Sequence, residues 1–403
     1  MTSRLLEALL PAVAPDVVAA WQKSARARLE REGLPHRRIE AWRTTDPAPF
    51  FARLAEAGPA KAPEPPSDAW VLNGDGTWTW PAVVRSGLRC RPLADACLDG
   101  GAVASWAEGE VGRGGLADVT RACAVAGGVL EVDGIFDEPV RVWRRPVSGS
   151  GVLLPLVVVL APGARVVVED HGIVSGTILS AGHAVVGADA ELHWVRHTAK
   201  RLGETWWQDS QSFSVEAGAR LTIHVAVTGA AWHRQDLAVD LVGEGADFTY
   251  RGLIAGPEDA HADVRLALRH LASGTTSRQV HRGLHGRGAR GVFTGLVHVA
   301  EGVRAVKSDQ ELRALMLAAG ASALCQPQLE ILADDVACSH GATVGQLDEQ
   351  AVFYLRARGL DEAVARALLA AAFARPALEG LSAPTIRAIR ADLAEAGLAE
   401  EES

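Results

Sequence analysis

Near the end of its strand-rich region the chain carries Cys338-Ser339-His340, a thiol and an imidazole two residues apart. On a β-strand such residues share a face, so a soft thiolate would stand beside an imidazole nitrogen, a donor pair suited to iron or a sulfur species. The residue types alone fit a packed cysteine beside a polar histidine equally well, and both readings stay open at this point. Asp334, Asp335 and Gly341 flank the pair and mark the end of that region, where a sheet edge must be covered by something. Cys325 lies in phase with Ala321, Ala323, Leu329 and Ile331 and is expected to face a core as a small hydrophobe. His193 and His197, four apart in a strand pattern, are expected on one exposed and solvated face.

Other chemistry is excluded by what the motifs lack. Gly286-Arg287-Gly288-Ala289-Arg290-Gly291 fits the dinucleotide pattern G-x-G-x-x-G, but an alternating strand, Val292 to Val299, follows it where the pyrophosphate site needs a helix N-terminus. A phosphate-binding loop needs a Lys after its last Gly, and the four lysines, Lys23, Lys61, Lys200 and Lys307, follow none. Energy from ATP must therefore come through another protein. Neither H-E-x-x-H nor G-x-S-x-G occurs, and no flavin motif is present.

The elements that must position Cys338 and His340 show in the middle of the chain. Gly-Ala pairs recur at 163, 187, 218, 245, 288 and 320, separated by 24, 31, 27, 43 and 32 residues. After them apolar and polar residues alternate: Ala219, Leu221, Ile223, Val225 and Val227 interleave with Arg220, Thr222 and His224, which is a strand with one apolar face. Between Val152 and Leu332 no stretch has the 3.6 period of a crossover helix, which disfavours a doubly wound α/β fold. The pattern predicts a mainly β protein, a right-handed parallel β-helix flanked by N-terminal and C-terminal helical domains. A β-sandwich is the runner-up, favoured by the uneven repeat spacing.

The flanks read as follows. Leu5 to about Arg31 has helical spacing, stopped by Gly33 and Pro35; 58–67 is a Pro-rich linker; and Trp70 to Trp80 is a hairpin turning at Asn73-Gly74-Asp75-Gly76. Beyond Gly345, Asp348 caps a helix ended by Gly359, Asp361 caps a second ended by Pro376, and a third runs from about Thr385 to Ala396, capped near Ser382. These helices are expected to cover the end of the β-helix or to form a docking surface. The implied divisions are 1–122, 123–345 and 346–403.

Composition narrows the class. The 403 residues are 48% apolar and 22% charged with a net charge of −9, so a globular protein is expected and a basic nucleic-acid binder is not. The five cysteines are scattered, without a C-x-x-C pair, which argues against a disulfide framework or zinc finger. Ala12-Val13-Ala14 after Arg4 imitates a secretion signal, but Glu7 and Asp16 leave the apolar region too short, and the longest apolar run, Val152 to Ala161, is well below the roughly 18 residues of a membrane span. A reduced, cytoplasmic protein without membrane contact is expected.

The run Pro327-Gln328-Leu329-Glu330-Ile331, Asp334-Asp335-Val336, Cys338 to Gly345, Leu347-Asp348-Glu349 and Phe353 to Gly359 resembles the C-terminal signature of the SufB/SufD family. A weaker match is Gly33-Leu34-Pro35 with Glu40-Ala41-Trp42-Arg43-Thr44-Thr45, which is similar to SufD members rather than SufB members. The resemblance implies a non-catalytic scaffold subunit of the SufBCD complex for iron–sulfur cluster assembly. It implies a heterodimer with SufB through the β-helix end and docking of the ATPase SufC on the C-terminal helices; whether a homodimer forms when SufB is absent stays open. It further implies that Cys338 and His340 face SufB and take part in nascent cluster assembly, holding iron or a cluster transiently. ATP enters through SufC and no cofactor is held stably by this chain. The alternatives are a β-helix carbohydrate-active enzyme and a homodimeric scaffold unrelated to iron.

Overall fold

The structure is a computed structural model that describes residues 20–56, 64–99 except 83, 101, 103, 106, 115–123, 126–146, 151–171, 176–198 and 205–398. The N-terminal helices are α1 (Ala20–Glu32), α2 (Ala48–Glu56), α3 (Leu93–Leu98) and α4 (Gly115–Cys123), with a 3-10 turn at Glu40–Trp42. Residues 1–19 and most of the Pro-rich stretch lie outside the described residues. The expected hairpin forms between β1 (Trp70–Leu72) and β2 (Trp78–Thr79), and β3 (Leu88–Pro92) runs antiparallel to β4 (Gly128–Val132).

From β4 onward the chain winds between two sheets. The strands β5 (Val140–Arg144), β7 (Arg165–His171), β9 (Glu191–Thr198), β11 (Arg220–Val227), β13 (Asp247–Gly256), β15 (Thr276–His285), β17 (Val306–Met316) and β19 (Val336–Gln346) stack in a ten-stranded sheet completed by β1 and β2. The strands β6 (Leu156–Leu160), β8 (Thr177–Val186), β10 (Trp206–Val215), β12 (Trp232–Leu241), β14 (His261–His270), β16 (Arg290–Val299) and β18 (Ser322–Ile331) stack with β3 and β4 in a nine-stranded sheet. Successive strands join opposite sheets and, from β6 onward, each pairs in parallel with the strand two before it, so the architecture is the expected parallel β-helix, of about seven turns. The sandwich alternative captured the two facing layers and missed the connectivity, because face-to-face packing and period-two patterning are common to both folds.

The uneven Gly-Ala spacing is the overlay of two regular ladders. One corner places left-handed residues at 189, 218, 245 and 274, which are 29, 27 and 29 apart, and the opposite corner places them at 259, 288 and 320, which are 29 and 32 apart. The gap of 43 is a jump from one corner to the other. Gly218 (φ +65°) and Gly288 (φ +67°) take a conformation that disfavours a side chain, and a Cβ there would also collide with the carboxylates of Asp189 and Asp259 one coil earlier. Inward residues such as Val166, Val186, Leu221, Phe248, Leu266 and Val297 form one continuous core between the sheets.

Helices cover the outward faces. Phe50 of α2 stacks on Trp232 at 5.0 Å, and Trp232 stacks on Trp206 at 5.7 Å, anchoring the N-terminal layer to the nine-stranded sheet. At the C-terminus α5 (Glu349–Ala357), α6 (Glu362–Leu378) and α7 (Ala383–Glu395) follow the predicted order. Asp348 caps α5 by accepting from Gln350 N–H at 2.9 Å, and Ser382 caps α7 by accepting from Thr385 N–H. Two details differ from expectation. Asp361 occupies the cap position of α6 without a side-chain bond, and α6 runs two residues past Pro376. Arg251 donates to the Pro376 carbonyl, and Ala377 and Leu378 pack into an apolar cluster, so tertiary contacts hold the last turn. That cluster joins Ala370, Ala374, Ile389 and Leu393 to Ala226, Leu253, Ala255 and Leu284 of β11, β13 and β15. The helices therefore lie along the side of the ten-stranded sheet and leave its last strand uncovered. No described helix is long and apolar enough to cross a membrane.

Candidate functional site

Cys338 and His340 both lie on β19, the terminal strand of the ten-stranded sheet. β19 pairs with β17 alone, aligning Cys338 with Ser308, His340 with Gln310 and Ala342 with Leu312. Ser308, Gln310 and Leu312 are buried inward residues, so Cys338 and His340 share the inward face, as their spacing predicts. With no coil stacked beyond them, Cys338 is half-buried and His340 exposed. Ser339 points outward and donates to Asp309 at 2.6 Å, which fixes the strand's orientation. Burial pushes the Cys338 thiol above its ordinary pKa, and the hydrogen bond to the Ser308 backbone only partly offsets this. The thiol is thus held protonated at neutral pH, and binding a metal would expel its proton.

The columns beneath these residues change character along the helix axis. Leu221 and Phe248 give way to Ser277, Ser308 and Cys338; Ile223 and Tyr250 give way to Gln279, Gln310 and His340. Ser277 bonds to Ser308 at 2.9 Å, and Gln310 Nε2 donates to Gln279 Oε1 at 2.7 Å. His270 bonds to Thr275 at 2.8 Å and Ser277 at 3.1 Å. His281 stacks on Phe293 at 4.2 Å, and His285 sits against Gly283 and Gly291, where an added Cβ would strike its ring. Burial lowers His281 to about 3, and His270 and His285 to about 4, so all three imidazoles are neutral at pH 7. Cys325 faces inward from β18 as expected and is half-buried, its thiol pushed up to about 11 by burial. Cys338 and His340 therefore stand at the mouth of a neutral, polar interior. The sequence held the information for these columns, but reading them requires the coil-to-coil register.

The earlier coils hold a different interior. Arg144 makes two 3.1 Å bonds to Asp170, and Arg196 bridges Asp170 and Asp209, all four side chains being almost wholly buried. Burial would raise Asp209, but the charges of Arg196 and Arg144 and the hydrogen bonds from Ser180 and Gln211 outweigh it and hold the carboxyl below its ordinary range.

His193 and His197 correct the expectation made for them. They do share the outward face, but the C-terminal layer folds over it. His193 Nε2 and His224 Nδ1 share a 2.7 Å hydrogen bond, His224 Nε2 donates to the Glu379 carbonyl at 2.9 Å, and His197 Nε2 lies 2.7 Å from Asp392 of α7. His224 is lowered to about 3, mainly by burial. Helix residues some 155 positions away in sequence decide this burial, so strand periodicity could not show it. Gly286 to Gly291 form a corner followed by the strand β16, as predicted.

Towards the C-terminus exposed apolar groups fall in two places. Leu324, Ile331, Leu332 and Val344 lie on or beside the terminal strands, while Phe353 (72% exposed), Tyr354 (57%) and Leu368 lie on α5 and α6. At the other end, Glu40 to Thr45 is a strap on the nine-stranded sheet: Arg234 donates to the Ala41 carbonyl at 2.8 Å, stacks on Trp42 at 4.2 Å and pairs with Asp263, which also accepts from Thr44 and Thr45.

Among known proteins, residues 147–373 match the family described as SUF system FeS cluster assembly, SufBD core domain. The chain is 36% identical over 160 residues to the iron-sulfur cluster assembly protein SufD of Escherichia coli, covering 39% of this chain and 37% of that protein. It is 36% identical over 153 residues to an iron-sulfur cluster assembly SufBD family protein of Synechocystis, covering 38% and 33%, and 28% identical over 136 residues to the iron-sulfur cluster assembly protein SufB of Bacillus subtilis, covering 34% and 29%. The matched stretch spans about a third of the length of each relative.

Proposed function

Because the chain belongs to the SufBD family of iron–sulfur cluster assembly proteins, we propose that it is a non-catalytic scaffold subunit that pairs with a SufB-type partner and docks a SufC-type ATPase. The observation that carries this reading is the uncovered end of the β-helix, where Cys338 and His340 sit on a strand with one free edge. A strand edge with unpaired backbone groups is a template for pairing with another chain, and flanking Leu324, Ile331 and Val344 supply apolar area around it. Phe353 and Tyr354, two large exposed side chains on a helix already packed by its other face, are the proposed contact for the ATPase.

In this mechanism the nascent cluster is cargo. Cys338 gives up its thiol proton to become a thiolate donor for iron, and His340 supplies a ring nitrogen beside it. ATP hydrolysis occurs on the partner, since this chain carries no phosphate-binding loop, and the helices along β11, β13 and β15 transmit movement to the solenoid. The reading places the protein in the cytoplasm with no cofactor of its own.

Anaerobic reconstitution with a SufB-type and a SufC-type partner tests it. The wild type should co-purify with both and accumulate iron and sulfide, whereas Cys338→Ala and His340→Ala should still assemble but lose most of the cluster. Cluster content unchanged in both variants would remove these residues from the site. A stable homodimer that persists in the presence of the SufB-type partner would overturn the heterodimer.

A further inference from the structure

The strap formed by the segment from Gly33 to Trp42 does not lie flush on the nine-stranded sheet. It roofs a cavity of about 350 Å³, within the range of small-ligand sites. The floor is paved with small side chains in two register rows: Ala181 and Ser210 run into Asp236 and Arg265, and Ser212 runs into Ala238 and Ala267. Neighbouring small residues on adjacent strands make a flat surface. Two indoles line the space, and each is fixed by a cation on its face: Trp42 by Arg234 at 4.2 Å and Trp106 by Arg121 at 4.6 Å. Pro35 and Ile39 close the apolar side.

The hydrogen bonding is incomplete in one place. Asp236 is engaged, accepting from Arg234 at 2.8 Å and Gln208 at 3.1 Å, and Glu32 is engaged at the rim by Arg31 at 2.7 Å. Arg265 lines the same cavity half-buried; Asp236, Asp263 and Glu40 act on its charge through space, but it makes neither a hydrogen bond nor an ion pair with them or with any other described residue. A guanidinium partly withdrawn from water with no hydrogen-bond acceptor is costly unless an acceptor completes it. We propose that this cavity binds a small planar aromatic anion, its ring lying on the Ala/Ser floor between Trp42 and Trp106 and its carboxylate or equivalent oxyanion accepting from Arg265. The site lies on the outward face of the nine-stranded sheet, separate from Cys338 and His340, and its test does not depend on cluster assembly.

Calorimetric titration of the full chain with 2-naphthoate and with the uncharged 2-naphthamide checks both halves of the proposal. The wild type should take one equivalent of naphthoate at least about tenfold more tightly than the amide, the size of one charge-assisted hydrogen bond. Arg265→Gln should abolish that preference while leaving the amide unchanged, and Arg265→Lys should restore part of it. Ala238→Leu, or Ala267→Leu should the first variant not fold, should weaken both probes by raising the floor. Equal affinity for the two probes, no binding of naphthoate, or isotherms unmoved by both floor variants would overturn the assignment.

Discussion

Between the first and last coils the β-helix keeps one backbone plan and fills it in two ways. Early on, its inner polar groups are gathered around Arg144, Asp170, Arg196 and Asp209, a closed set of two cations and two anions, and helices cover the sheets outside. In the last coils the interior is neutral and polar, built from Ser277, Ser308, Gln279, Gln310 and three uncharged histidines, and the terminal strands lie open. The first arrangement concentrates stability where nothing has to move. Buried polar atoms short of partners occur in both, Arg196 Nε, Gln211 Oε1 and Gln235 Oε1 early and His281 Nδ1, His285 Nδ1 and Gln310 Oε1 late, but the late set lies next to the strand edge that carries a thiol and an imidazole. Functional ends of proteins are commonly drawn from such less stable regions.

The largest expected effect falls on the early coils. Asp170→Ala would leave Arg144 and Arg196 buried with Asp209 as the remaining anion, and should cost about 3–5 kcal/mol in denaturant unfolding. A loss below about 1 kcal/mol would remove the contrast between the two ends.

Acid should come next, and it should act along the solenoid with most force where depressed histidines are most numerous. His183, His224, His233, His270, His281 and His285 are depressed to between about 3 and about 4, mainly by burial, so below the unfolded value of about 6.5 the unfolded chain binds protons that the folded chain refuses. Stability contributed by each neutral imidazole is complete above about pH 6.5 and falls by about 1.4 kcal/mol per pH unit as the pH drops towards the folded value. Hydrogen exchange from pH 7 to pH 5 should show β15, which carries His281 and His285, opening before β8, which carries His183 alone. The reverse order would sharpen the comparison in the opposite sense, placing the acid-sensitive element among the early coils.

The smallest effect is expected from Gln279→Leu with Gln310→Leu. Replacing both partners of a buried hydrogen bond by apolar groups of similar size should change stability by less than about 1 kcal/mol, or raise it, in thermal melts. If the double variant instead unfolded the protein, the late interior would be a stability element like the early one.

Much of the architecture was legible in the residues themselves. Alternation after each corner gave the strands, the missing 3.6 period between Val152 and Leu332 removed the α/β alternatives, and Asp348 and Ser382 marked helix starts that the structure keeps. The shared face of Cys338 and His340 follows from a spacing of two. These features are local, set by backbone geometry within a few residues. Their longer-range settings were not legible: 43 residues separated two Gly-Ala pairs because they belong to opposite corners, and Pro376 did not end α6 because Arg251 and the apolar cluster hold the turn beyond it.

By itself, then, the sequence determined a coiled ladder of strands between helices and one thiol–imidazole pair on its last strand. Tertiary structure alone decided what those strands face. Coil register turned isolated Ser, Gln and His residues into continuous polar columns, and the folding of α6 and α7 onto β11, β13 and β15 covered His193 and His197 and left β18 and β19 open. The physical reason is separation along the chain: a strand's alternation is fixed by its neighbours, whereas the partner that covers its outward face lies more than a hundred residues away and is found only when the chain has folded.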